Sequence, residues 1–560
     1  MIDAMKIPCT DRNTEDPTTT GGETKARVVL PQSHGLQHAF VSNVHVLTGA
    51  RFVGVLLSFA LSVMLADKFG AGATSDAFFL VRRLVTSVAA AFERAIRLVF
   101  VPLIIAELHS SHATFKRRFF PARSIRIGIV TVCVALVLTM FASPAVGLIA
   151  PGFDEQRAVL ARQLLRTLVW VIPLTLITAL SLSWLNAART FGKPELIKEA
   201  PRLFGVVALL TMVPLYGVDA LAWAILLGTA LAALITWRLA QRLLRKPWAD
   251  GGVVGSMKEL EGPRPRSSSG KRLAVLLIGQ LHMQGALWID LAFASTLVVG
   301  AVSTLEYAQR LFGLLPGVLA NSLLTVAYTE LSHKAAQRDY SGLRARIADI
   351  IRANLFLTLP VGVVLMGVAD VAVNLLLHHG AFDATAAAET ALVMRCMLPG
   401  LMINILASAL LHSVVVDAQL PSVRIISIAT AIGLGSRVLI FLIVVPRFEL
   451  VGLVLGSAGA MLVVTVVLYV QIRRSWGSIL GRIDMWTLLR IAACGVVASA
   501  ALFLVRGVID FLLPETDAWQ LVAALASAAS AAIAYLLAAR WLGVQELRLV
   551  AGRLSDRRES

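Results

Sequence analysis

The sequence is short of charge, of acid and of cysteine. Only 15% of its 560 residues are charged against 57% hydrophobic, and mean hydropathy is +0.78. So little charge excludes a soluble globular protein and calls for a chain embedded in lipid. Acid is the scarcer sign, 34 Asp and Glu against 51 Lys and Arg, for a formal net charge of +17. In a soluble protein that balance would raise nucleic acid as a partner. Here the basic residues fall in short stretches between apolar runs, the arrangement that orients membrane helices, so nucleic acid is not expected. The four cysteines, Cys9, Cys133, Cys396 and Cys494, have no CxxC or metal-ligand spacing, so no metal is expected. Gly270-Lys271-Arg272 lacks the phosphate-loop pattern, and no nucleophile–base pair stands out. Neither a cofactor nor enzyme chemistry is expected.

Residues 1–42 lack the apolar run of a signal peptide and read as a disordered cytoplasmic tail. Apolar runs then recur. Because about 20 apolar residues cross a bilayer, they predict spans near 43–66, 77–106, 125–149, 160–187, 200–217, 219–240, 273–298, 302–332, 352–377, 385–412, 421–445, 448–471, 486–506 and 517–540. Loops after even-numbered spans are basic, for example Lys116, Arg117 and Arg118, or Arg473 and Arg474. Loops after odd-numbered spans carry little beyond Lys68, Arg157, Arg447 and Arg506. This alternation predicts that both termini are cytoplasmic.

The longest internal linker, 246–272, is rich in Gly, Pro, Ser and basic residues and separates two halves, 43–245 and 273–474. A helix pair at 475–545 and a cytoplasmic tail at 546–560 follow. Phe153-Asp154 and Phe382-Asp383, Pro194 and Pro421, and Arg83-Leu84 and Arg310-Leu311 are pairs at a nearly constant separation. They suggest a duplicated six-helix unit. The expected fold is an all-α polytopic membrane protein of about 14 transmembrane helices. Two pseudo-symmetric six-helix lobes would surround a central cavity, with two further C-terminal helices.

The chain is organised around the hairpin from Arg51 to Glu107, two apolar helices joined by Phe69-Gly70-Ala71-Gly72. A charge at the centre of a membrane helix costs roughly 2.5 to 3.5 kcal/mol and seldom faces lipid. Arg51, Asp76, Arg82, Arg83, Glu93, Arg94 and Arg97 must therefore find polar surroundings. Arg51 can snorkel to the interface or face the cavity. Asp76 is placed to cap the second helix. Of the two adjacent arginines, Arg83 is the better cavity residue because it matches Arg310 in the repeat. Glu93 and Arg97 stand one turn apart and can pair, leaving Arg94 as the free cation. Glu306 and Arg310 have the same spacing. His282 and Asp290 are more readily structural than proton carriers. Clustered arginines suit an anionic ligand, since guanidinium groups take phosphate oxygens in pairs.

These residues resemble a known family. FGAGATSDAFF (69–79), FVPLIIAEL (100–108), Ala150-Pro151-Gly152-Phe153, Leu185-Asn186 and YAQRLFGLLPGVL (307–319) look like the MurJ/MviN lipid II flippase family. That family belongs to the multidrug/oligosaccharidyl-lipid/polysaccharide exporter superfamily. The resemblance implies a flippase that moves an undecaprenyl-diphosphate-linked saccharide, lipid II first, from inner to outer leaflet by alternating access. It implies a bacterial inner-membrane location and a polyprenyl-diphosphate-linked glycan as substrate. Cell-wall or polysaccharide synthesis proteins would be partners, and the protein would act as a monomer. Arg51, Arg83, Arg94, Arg97 and Arg310 are the expected head-group residues, with Asp76, Glu93 and Glu306 supporting or gating. Leu57 and Val88-Ala89 stand where the family carries arginines. An exopolysaccharide or O-antigen flippase, a cation-coupled multidrug exporter and a non-transporting scaffold are the alternatives.

Overall fold

The computed structural model describes residues 34–108, 128–187, 192–245, 269–313, 339–416, 421–477, 485–512 and 517–547, with isolated positions between 331 and 337. Within them the chain is helical, with no strand. The expected linker and both far termini lie largely outside the described residues, as does the C-terminal part of the eighth span.

The N-terminal half holds α1 (His34–Phe69), α2 (Ala73–Leu108), α3 (Gly128–Met140), α4 (Ala142–Ile149), α5 (Glu155–Leu168) and α6 (Val171–Ala187). It continues with α7 (Gly192–Ile197), α8 (Ala200–Thr211) and α9 (Val213–Arg245). The next stretch holds α10 (Ser269–Ser295), α11 (301–313), α12 (Tyr340–Gly367) and α13 (Ala369–Leu376). Then come α14 (Ala384–Arg395), α15 (Leu398–Val416) and α16 (Ser422–Trp476), and last α17 (Met485–Leu512) and α18 (Asp517–Trp541). Helix α1 starts at His34, inside the stretch expected as a tail.

Eight described helices are long and apolar enough to cross a membrane, or nine when the bent pair α3–α4 counts as one span. Helix α2 is not among them; in its 36 residues it carries Asp76, Arg82, Arg83, Glu93, Arg94 and Arg97. Its partner must therefore be protein and not lipid. Several expected spans are broken. Helices α3 and α4 meet at 79°. The 55-residue α16 contains the expected eleventh and twelfth spans, joined at Glu449, where φ is 49°.

The breaks recur in both halves. Short α4 precedes Asp154 and α5, and short α13 precedes Asp383 and α14, with each aspartate at a helix N-cap. In the second case the carboxylate accepts the Ala386 N–H at 2.8 Å, satisfying a donor the helix itself cannot. That bond holds the exposed Asp383 carboxyl below the usual carboxylate range.

Packing follows the halves. In the first, α2 lies on α5 and α6, α9 on α6 and α8, and α1 on α7 and α8. In the second, α16 packs on α10 and α15, and α12 on α15. Helices α17 and α18 pack on each other and on α12. The halves meet where α10 touches α2 and α4.

At one end of the molecule four loops come into backbone contact. The Ala381 N–H donates to the Asp67 carbonyl at 2.8 Å. A Cβ on Gly70 would lie 2.2 Å from the Ala381 carbonyl oxygen, and one on Gly380 would lie 2.3 Å from that of Asp67. Both glycines sit at φ +59°, so both the close approach and the left-handed backbone require glycine. Gly152 lies equally close to Thr296, and Gly300 to Ala71. Beneath them Phe79, Tyr307 and Phe382 stack edge to face, with centroids 5.0 and 5.4 Å apart. Gly70→Val is therefore expected to keep this end from closing. With cysteines at positions 67 and 381, bismaleimide cross-linking should be efficient otherwise and fall severalfold with the valine; equal yields would contradict the close approach.

Candidate functional site

The hairpin charges meet the other half through α11. Asp76 is fully buried, at 0% exposure. It does not cap its own helix, as the spacing predicted. One oxygen accepts the Gly300 N–H at 2.7 Å. The other accepts the Ser303 N–H at 2.8 Å and its hydroxyl at 2.7 Å. Asp76 thus caps α11, across the interface, where the positive end of a helix favours a carboxylate. The N-terminus of α2 is served instead by Ser75, whose Oγ accepts the Gly72 N–H at 2.9 Å. Arg157 stands 3.6 Å from Asp76, bonds Asp154 and covers the Phe153 ring at 4.8 Å. Sequence reasoning missed Arg157 as part of this site. Its signal was a lone basic residue in a loop otherwise poor in them.

Further along the same two helices lies the charge cluster. Glu306 is 4% exposed and receives two guanidinium groups. Arg83 reaches it from α2 at 3.4 Å, and Arg310 from one turn along α11 at 3.8 Å. Arg310 also donates to the Ser62 hydroxyl on α1 and lies 5.0 Å over the Phe79 ring. The expected pairing of Arg83 with Arg310 across the halves is thus made through one carboxylate. Two guanidinium groups on one carboxylate leave a positive excess, the condition for an anionic ligand.

Arg94, expected as the free cation, donates to the neutral amide of Gln280 on α10 at 2.6 Å, which ties the halves together without neutralising its charge. Trp288 makes a parallel tie, donating to Ser87 at 2.9 Å. Glu93 is engaged by Lys198 at 3.2 Å. The side chains of Arg51 and Arg97 lie outside the described residues, so the Arg97 partner expected for Glu93 does as well. Asp290, expected as more readily structural than a proton carrier, is held by Arg437 at 3.2 Å and Ser457 at 3.3 Å. Sequence reasoning also passed over Lys198 and Arg202, which it read as loop charges or not at all. No group of His, Cys, Asp and Glu suited to a metal occurs among the described residues.

A family model described as "Lipid II flippase MurJ" matches residues 65–549. The chain belongs to the MurJ lipid II flippase family. A probable lipid II flippase MurJ from Rhizobium tropici is 26% identical over 83% of this chain and 85% of its own length. One from Buchnera aphidicola subsp. Baizongia pistaciae is 23% identical over 59% of this chain. The match spans only 64% of that relative and 63% of another Buchnera relative. Among solved structures, a lipid II flippase MurJ in an inward closed conformation superposes with a TM-score of 0.70 at 18% identity, over 89% of this chain and 99% of that one. An inward-facing MATE-family multidrug resistance transporter reaches 0.60 at 15% identity, over 76% and 96%. The fold is that of both solved structures. Members of the MurJ family are transporters, and the apolar helices make this chain a multi-pass membrane protein.

Proposed function

We propose that the protein is a flippase for an undecaprenyl-diphosphate-linked saccharide, lipid II first, moving it from the inner to the outer leaflet of a bacterial cytoplasmic membrane. The observation that carries the reading is the convergence of Arg83 and Arg310, from opposite halves, on buried Glu306. A diphosphate offers several acceptor oxygens, so it can replace the carboxylate and hold both guanidinium groups at once. The relatives' descriptions as probable lipid II flippases support the same substrate.

The loops at 67–72, 150–154, 295–303 and 378–383 follow odd-numbered spans, which are poor in Lys and Arg. The positive-inside tendency supports placing them outside and both termini in the cytoplasm. The contacts among them would then seal the outer side, and the charge cluster would receive the head group from the cytoplasm. The exposed apolar residues Phe52, Val53, Val55 and Leu56 on α1 would let the prenyl chain stay in lipid beside the site. Transport opens the outer contacts and remakes them after release. The two halves are the lobes that move, and the working unit is one chain.

The test is depletion in a strain with no redundant flippase. The lipid-linked precursor is expected to accumulate on the inner leaflet. Normal outer-leaflet levels would overturn the reading. An unchanged cell-wall precursor with a trapped exopolysaccharide precursor would move the assignment to that substrate.

A further inference from the structure

The two adjacent arginines of α2 serve different places. Arg83 turns toward α11, whereas Arg82, about 100° further round the helix, turns into the N-terminal half. There it lines a cavity of about 240 Å³ between α2, α6, α8 and α9. Five charged side chains line that cavity: Arg82, Lys198 and Arg202 against Glu93 and Glu199. Lys198 pairs with Glu93 at 3.2 Å, and Arg202 with Glu199. Arg82 is the third cation. Its Nη1 is buried and has no hydrogen-bond partner among the described residues. A buried guanidinium N–H without an acceptor is costly, and such groups normally have one.

The remaining polar lining points to a ligand that brings hydroxyl or amide donors. Thr86, Thr178 and Thr229 donate to the Arg82, Leu174 and Ile225 carbonyls of their own helices at 2.8, 3.0 and 2.7 Å. Their oxygen lone pairs are left as acceptors. The cavity also adjoins the cluster at Glu306. Leu61 of α1 lines it, and the next residue, Ser62, carries Arg310. A head group held at Arg83 and Arg310 therefore has a second pocket beside it, apolar in most of its lining but with five charged side chains, across α1 and α2.

We propose that this cavity takes a carboxylate-bearing part of the transported head group, with the Arg82 guanidinium as its ion-pair partner. The inference rests on the reading that the diphosphate sits at Arg83, Glu306 and Arg310. One guanidinium, over the Phe78 ring at 5.8 Å and with one buried N–H lacking an acceptor among the described residues, matches one carboxylate in charge. Charged and hydroxyl groups set among apolar side chains such as Leu61, Val85 and Ile225 suit a head-group fragment that joins a carboxylate to less polar surface. A sugar acid or an acidic peptide could supply the carboxylate.

Binding to the purified full-length protein separates these sources. Four probes are used: undecaprenyl diphosphate, the same lipid with a neutral disaccharide, with that disaccharide oxidised to a uronic acid, and with that disaccharide bearing an acidic peptide. Arg82→Gln is expected to weaken one or both acid-bearing lipids about tenfold, the worth of one charge-assisted hydrogen bond. The first two should be unchanged, and Arg82→Lys should recover part of the loss. The lipid that loses affinity names the source. Equal weakening of all four probes, or of none, overturns the proposal. Should Arg82→Gln not fold, Ala179→Leu, which fills the same cavity, should show the same selective loss. Arg310→Gln reports on the diphosphate separately and should weaken all four. If it weakens none, the diphosphate placement fails, whatever Arg82 does.

Discussion

Replacing Arg310 by alanine is expected to abolish transport while leaving a folded protein. Arg310 is the cation of the eighth span, and it ties together Glu306, Ser62 and the Phe79 ring. Three helices therefore converge on one side chain. The fold does not depend on it, because Glu306 keeps Arg83 as a partner at 3.4 Å. The ligand does depend on it. Truncating one partner of a buried hydrogen-bonded charge pair costs about 2 to 5 kcal/mol in binding, so a loss of at least about 30-fold in affinity is expected. Arg310→Lys keeps the charge but not the planar fork that holds two phosphate oxygens, so it should recover only part of the activity. The measurement is flipping of a lipid-linked saccharide in proteoliposomes, with size exclusion and melting temperature as controls for folding. Wild-type flipping by the alanine variant would remove Arg310 from the mechanism.

The second large effect is expected at Asp76. Its carboxylate receives three hydrogen bonds from Gly300 and Ser303, with Arg157 beside it, all without contact with water. Removing one member of a buried charged pair costs roughly 3 to 5 kcal/mol, because the other charge is left without compensation. In Asp76→Ala that cost falls on the closed arrangement, where α11 loses its cap and Arg157 its partner. A shift of that size moves a two-state equilibrium by roughly two to four powers of ten. The outer-closed state should lose its dominance. A cysteine at Ser295, which is buried against Gly152 in the closed end, in a chain otherwise free of cysteine, should then react much faster with a membrane-impermeant maleimide. Asp76→Asn keeps an oxygen for Ser303 but loses the charge, so it should fall between the two. Unchanged labelling in both variants would mean that Asp76 does not hold this end closed.

The family and the fold class were legible in the sequence because they depend on local features. Apolar run length reports the spans, and loop charge predicts their orientation. Hairpin motifs such as Gly70-Ala71-Gly72 require glycine wherever two backbones touch. Arg83 was expected as the cavity residue through its register with Arg310; it reaches Glu306, while Arg82 lines the cavity of the N-terminal half. Partners were not legible. Asp76 looks like an N-cap when the second span is read from 77, and local spacing cannot reveal that α2 starts at Ala73, that Ser75 serves its N-terminus and that Asp76 reaches α11. Arg94 looked free because Gln280, its acceptor, is 186 residues away in sequence. Lys198 looked like a loop charge and Arg202, inside the expected span 200–217, drew no reading, because the helix break that turns α7 and α8 against α1 leaves no mark in hydropathy.

The hairpin from Arg51 to Glu107 thus divides cleanly between the two levels. Its sequence alone determined that α2 could not face lipid, since a helix with that many charges is too costly to expose to hydrocarbon. Only the tertiary structure decided which charge does what. It gave Asp76 to the closed end, Arg83 to the charge cluster with Arg310, Arg94 to a tie between the halves, and Arg82 to a second cavity. The physical reason is that a charge's cost is set by its own position, whereas its compensation comes from whichever distant residue the packing brings within a few ångströms.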